Sequence, residues 1–156
     1  MPQEDFTLKK DFEFESIKTR LDKMVSIKSV NPELDWHGSP SDEIEMGKYL
    51  RKELDELNFD VGAEEIKDGR FNVVGRKGSG DPKLVFVGHM DTVPPGPLES
   101  WDTDPFQAVH RNGNIFGLGT ADMKGAIAAF LNAAEHLNFS GLDGELILAF
   151  LLDEEV

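Results

Sequence analysis

Apolar residues recur along this chain with two different periods, and the alternation between them predicts the elements. Phe14, Ile17, Leu21, Met24 and Val25 follow helical spacing and predict an amphipathic helix ending near Lys28. Met46, Leu50, Leu54 and Leu57, at i, i+4, i+8 and i+11, predict a second, with Lys48, Arg51, Lys52, Glu53, Asp55 and Glu56 on its wet face. Ser41 and Asp42 offer N-caps for it, and Glu45 completes a capping-box spacing from Asp42. Ile127, Phe130, Leu131, Ala134 and Leu137 predict a third helix, with His136 off its apolar face. Shorter runs predict strands at residues 61–65 and 71–75. Leu84-Val85-Phe86-Val87 reads as a buried strand, and Leu146 to Leu152 as a central strand buried on both faces.

Breakers separate these elements. Residues 29–40 carry Asn31-Pro32 and Gly38-Ser39-Pro40 and read as a loop, in which His37 is expected to be exposed. Residues 77–82 read as a turn, and Asn112-Gly113 as the turn of a hairpin whose neighbour His110 sits on a surface strand. The Pro-rich loop at 92–104 is long enough to suggest a function. The order predicts an α/β fold, a mixed, largely parallel sheet flanked by helices.

Bulk properties narrow the chemistry. The 156 residues suffice for one domain with a core. A net charge of −14 disfavours nucleic acid and anionic membrane as partners, since both require a basic footprint. With no cysteine, disulfides and thiolate metal sites are excluded, so any metal is held by nitrogen and oxygen. The absence of a basic-then-apolar leader pattern makes the cytoplasm the expected location.

Three groups of chemistry-bearing residues share one address, the exit of a strand or the entry of a helix. His89 and Asp91 lie two apart in extended backbone and so project to one side, directly into a Pro/Gly loop. Imidazole is a good metal ligand, and a nearby carboxylate can fix its tautomer. Asp122 precedes the third helix, where by itself it reads as a cap. Gly117-Leu118-Gly119 invites a dinucleotide reading, but Asp122 occupies the place of the third glycine and would repel a pyrophosphate. Glu154 and Glu155 follow the most apolar strand. Being adjacent, their side chains diverge, so one can ligate a metal while the other handles protons.

Together, Gly88-His89-Met90-Asp91-Thr92-Val93-Pro94, Trp101-Asp102-Thr103-Asp104-Pro105-Phe106, Gly117 to Gly125 and Asp153-Glu154-Glu155 resemble the M20 family of di-zinc metallopeptidases and deacylases. That family includes acetylornithine deacetylase, succinyl-diaminopimelate desuccinylase and carboxypeptidase G-type enzymes. The resemblance implies metal-dependent hydrolysis of an amide in a small peptide or N-acyl amino acid, with two divalent ions, zinc first and cobalt or manganese as alternatives. It implies His89 as a ligand of one metal, Asp122 as the bridge between both, and Glu155 as a ligand of the second. Glu154 would act as general base and Asp91 as the carboxylate orienting His89, and the Asp122–Met123 peptide would be cis.

By the same resemblance, residues 1–156 are the N-terminal portion of a catalytic domain. A further acidic ligand, a late histidine and a lid and dimerisation domain would lie outside them, and a full-length form would be a homodimer. The 156 residues alone are therefore expected to be inactive. The alternative expectation is a non-catalytic remnant that binds metal or associates with a partner chain.

Overall fold

The computed structural model describes residues 14–34, 36, 41–140 and 143–156. His37 lies outside the described residues. Helices α1 (Phe14–Ser26), α2 (Glu43–Glu56) and α3 (Lys124–His136) occupy the three predicted stretches. A four-stranded sheet has the order β1-β2-β6-β3, from β1 (Asp60–Lys67), β2 (Arg70–Ser79), β6 (Gly144–Leu151) and β3 (Lys83–His89). A hairpin of β4 (Val109–Arg111) and β5 (Asn114–Phe116) stands apart from it. Asn112 and Gly113 take φ of 54° and 79° there, the double left-handed turn that Asn-Gly favours.

The apolar stripes of the helices converge on one face of the sheet. Met24, Val25, Met46, Leu50, Leu54, Ile127 and Leu131 are fully buried against Val73, Leu146, Leu148 and Phe150. Burying each such side chain contributes about 1.5–3 kcal/mol. Close approach of α3 to β3 depends on Gly88, where a Cβ would lie 3.2 Å from Ile127 and 3.3 Å from Met123. That contact brings the start of α3 beside the end of β3.

Several expectations are corrected. The run at 84–87 is not buried: β3 is an edge strand, and Leu84, Val85 and Val87 are 55%, 49% and 53% exposed. Only Phe86 is covered, stacked on Phe130 of α3 at 4.6 Å, because the helices lie on one face and β6 pairs one edge. The sheet is mixed as expected, but its parallel pairing is confined to β3–β6, since β1–β2 and β2–β6 are antiparallel. β2 also runs through residues read as a turn, because Lys77, Gly78 and Ser79 find partners in Leu146, Glu145 and Gly144. The capping box does not form. Asp42 makes no side-chain cap, and Ser41 Oγ accepts the Glu43 N–H at 3.3 Å instead. His136 is half-buried rather than exposed, with Nδ1 2.8 Å from the Asn132 carbonyl. His110 pairs with Asp22 at 2.7 Å.

Candidate metal centre

Parallel neighbours end at the same side of a sheet, and β3 and β6 are such neighbours, with His89 in register with Leu151. The Met90 N–H continues the ladder by donating to the Leu151 carbonyl at 2.8 Å. His89-Met90-Asp91 and Asp153-Glu154-Glu155 therefore leave the sheet side by side. The turn before α3 supplies the third component. Its Asp122–Met123 peptide is cis, the His89 N–H reaches Met123 Sδ at 3.3 Å, and Asp122 Oδ1 lies 2.9 Å from His89 Nε2.

One ligand-capable atom from each of His89, Asp122 and Glu155 falls within 4.8 Å of the others. Glu154 stands beside this group, with Oε2 3.8 Å from His89 Nε2 and a side chain 62% exposed. His89 Nδ1 lies 3.0 Å from the Asp91 carbonyl, which can only accept. Nδ1 therefore carries the proton, and in the neutral ring Nε2 turns its lone pair toward Asp122. A nitrogen and two carboxylates converging in this way suit zinc, cobalt or manganese. The donor set thus fits a divalent ion.

Electrostatics at this end reflect crowded acids. Burial disfavours the His89 imidazolium, but hydrogen bonds to Asp122 and the Asp91 carbonyl, with the charges of Asp91 and Glu154, outweigh it and raise its pKa. Burial pushes the Glu155 carboxyl up. His89 opposes that, while Asp122, Asp91 and Glu154 reinforce it.

The Asp91 carboxylate has an environment of its own. It is fully buried, with Oδ1 3.4 Å from His89 Nδ1, so the carbonyl of Asp91 rather than its carboxylate makes the shorter contact to the ring. The carboxylate accepts from Asn31 Nδ2 at 2.7 Å, the Glu155 N–H at 3.2 Å and the Glu154 N–H at 3.5 Å. Asp153, with φ of 55°, accepts from Asn31 Nδ2 at 3.0 Å and from Arg70 at 2.6 Å, and Arg70 also reaches buried Glu43 at 2.9 Å.

Lys124 is a second support. Its buried ammonium donates to the carbonyls of Met24 and Ile27, both at 2.9 Å, so the end of α1 is tied to the start of α3. Burial pushes its pKa down to about 7. Sequence reading assigned no role to Asn31, Glu43 or Arg70, whose spacing to the site residues carries no local pattern, nor to Lys124, which lies within the Gly117 to Gly125 run but whose burial that run does not announce. Asp153 was legible only as part of the Asp-Glu-Glu run.

Comparison with known proteins bears on this end of the molecule. Residues 85–156 match the profile of peptidase family M20/M25/M40. Succinyl-diaminopimelate desuccinylase of Bordetella petrii is 41% identical over 117 residues, covering 73% of this chain and 30% of that protein. The enzyme of the same name from Nitrosospira multiformis is 43% identical over 114 residues, 69% of this chain and 29% of that protein. The aligned part thus spans under a third of these relatives. Among solved structures, human carnosine dipeptidase 1 superposes with a TM-score of 0.75 at 20% identity, over 92% of this chain and 34% of that one. An M20 family metallo-carboxypeptidase from Sulfolobus solfataricus does so with a TM-score of 0.73 at 23% identity, over 86% and 30%. Both share the fold.

Proposed function

We propose, from the match of residues 85–156 to the profile of peptidase family M20/M25/M40, that this chain is the N-terminal part of a catalytic domain and that the protein hydrolyses an amide bond in a small peptide or N-acyl amino acid. The observation that carries this reading is the convergence of His89, Asp122 and Glu155 within 4.8 Å. Those residues would hold two divalent ions, zinc by first choice, with His89 on one, Glu155 on the other and Asp122 shared. Bound there, the ions would polarise the scissile carbonyl and lower the pKa of the attacking water.

The remaining chemistry belongs to the side chains. Glu154 is exposed beside the ligand group, so its carboxylate takes the proton from the attacking water as the new C–O bond forms. It returns that proton to the nitrogen as the C–N bond breaks, releasing a carboxylate and an amine. The relatives named desuccinylases favour an N-acyl amino acid as substrate.

For the 156 residues alone we propose metal binding without appreciable turnover. Among the described residues each ion would have two protein ligands, His89 with Asp122 or Asp122 with Glu155, whereas catalytic zinc sites commonly use three. The test loads the purified chain with Co2+, follows its visible absorption, and assays N-succinyl amino acids and dipeptides. Binding abolished by His89→Ala and Asp122→Asn, with no turnover, is the expected result. Turnover that Glu154→Gln removes would overturn the inactivity, and Co2+ binding indifferent to both ligand substitutions would overturn the metal centre. A second reading, association with a partner chain, is favoured by the exposed β3 edge.

A further inference from the structure

The geometry points to Asn31 as a positioning residue whose carboxamide ties the carboxylate behind His89 to the turn that presents Glu154 and Glu155, and we propose that it sets the metal affinity of the site. This inference rests on the metal-centre reading above.

Asn31 is 1% exposed and sits on a fixed platform. Its backbone N–H donates to the Thr92 carbonyl at 2.9 Å, and Val30 bridges Thr92. Three of the four hydrogen-bonding positions of its side chain are taken. Oδ1 accepts the Glu33 N–H at 2.9 Å, which directs the NH2 end inward. There Nδ2 lies 2.7 Å from Asp91 Oδ2 and 3.0 Å from Asp153 Oδ1, so each N–H serves one carboxylate.

Both recipients control catalytic side chains. Asp91 accepts the backbone N–H groups of Glu154 and Glu155 and touches the ring of His89. Asp153 is itself the left-handed residue from which Glu154 and Glu155 follow. Asn31 is therefore a shared donor between two acids that would otherwise repel, and only a neutral group with two donors suits the place. A carboxylate here would set three acids against one another, and alanine would leave buried Asp91 and half-buried Asp153 each short of a donor.

The experiment measures Co2+ affinity and Co2+ visible absorption for the parent chain, Asn31→Asp and Asn31→Ser, with thermal unfolding of the metal-free proteins alongside. Serine can retain the acceptor for Glu33 and one donor. Asn31→Asp is expected to weaken Co2+ binding about 10- to 100-fold and to shift the absorption bands, with Asn31→Ser between it and the parent. Both folded variants binding within about 2-fold of the parent, with an unchanged spectrum, would overturn the proposal.

Should neither variant fold, the parent decides through its own Asn31 carboxamide protons. Slow hydrogen exchange and a Co2+-induced paramagnetic shift support the role, and exchange at the rate of a free amide overturns it. If His89→Ala binds Co2+ as the parent does, the metal centre itself fails, an outcome separable from any result at Asn31.

Discussion

At the residue scale, the pair of Glu43 and Arg70 shows how the acid-rich end tolerates burial. Arg70 serves three acids, Asp153, Glu43 and, at 3.6 Å, Glu33, and although burial opposes its charge, hydrogen bonds to Asp153 and Glu43 raise its pKa. Glu43 is the partner that gives way. Its Oε2 meets Arg70, but its buried Oε1 finds no donor among the described residues, and burial lifts its carboxyl to about 7 against the pull of Arg70, with Asp91 and Asp153 adding to the rise. Between the unfolded carboxylate value of about 4.3 and about 7, the folded chain thus binds more protons at Glu43 than the unfolded chain does. The contribution of this group to stability is complete below that window and is lost as pH rises through about 7. Glu43→Gln keeps the shape and removes the titration. In urea unfolding followed from pH 4.5 to pH 8, the parent is expected to lose stability relative to Glu43→Gln as pH rises. A constant difference across the range would contradict the assignment.

At the element scale, α2 is held by a narrow stripe rather than by its caps. Met46, Leu50 and Leu54 are fully buried, while the Asp42 cap is unused. Leu54 rests on Gly75 of β2, where a Cβ would come within 2.9 Å of it, so helix and strand approach closely. Leu54→Ala is expected to cost about 2–5 kcal/mol in denaturant unfolding, because backbone packed this tightly cannot collapse into the space. A loss below about 1 kcal/mol would mean that the helix relaxes onto the strand. The helical periods were readable because each is a local property of the chain. The β2 extension through Ser79 was not, since those residues become strand only by pairing with β6, more than 60 residues away.

At the scale of the whole molecule, the asymmetry is between a helix-covered face and an open one. Val85 and Val87 stand on an edge strand whose outer side is unpaired among the described residues. Such edges invite association. Val85→Lys is expected to reduce self-association in light scattering while moving stability by no more than about 0.5 kcal/mol, as befits an exposed position. Unchanged scattering would place the association elsewhere, or show that there is none.

The sequence by itself determined the helices and the hairpin turn, and its short runs singled out His89, Asp122 and Glu155 as candidate ligands. Periodicity, Asn-Gly and the His-x-Asp, Asp122 and Glu-Glu runs are all contained within a few residues. Tertiary structure alone decided that β3 is an edge, that the carbonyl of Asp91 approaches the His89 ring more closely than its carboxylate, and that the carboxylate takes the backbone of Glu154 and Glu155 instead. It also decided that Asn31 and Arg70, 60 and 83 residues from their partners, hold that arrangement. The reason is physical. A strand run does not encode how many neighbours it will have, and a buried acid draws its donors from whatever backbone and side chains the packing delivers.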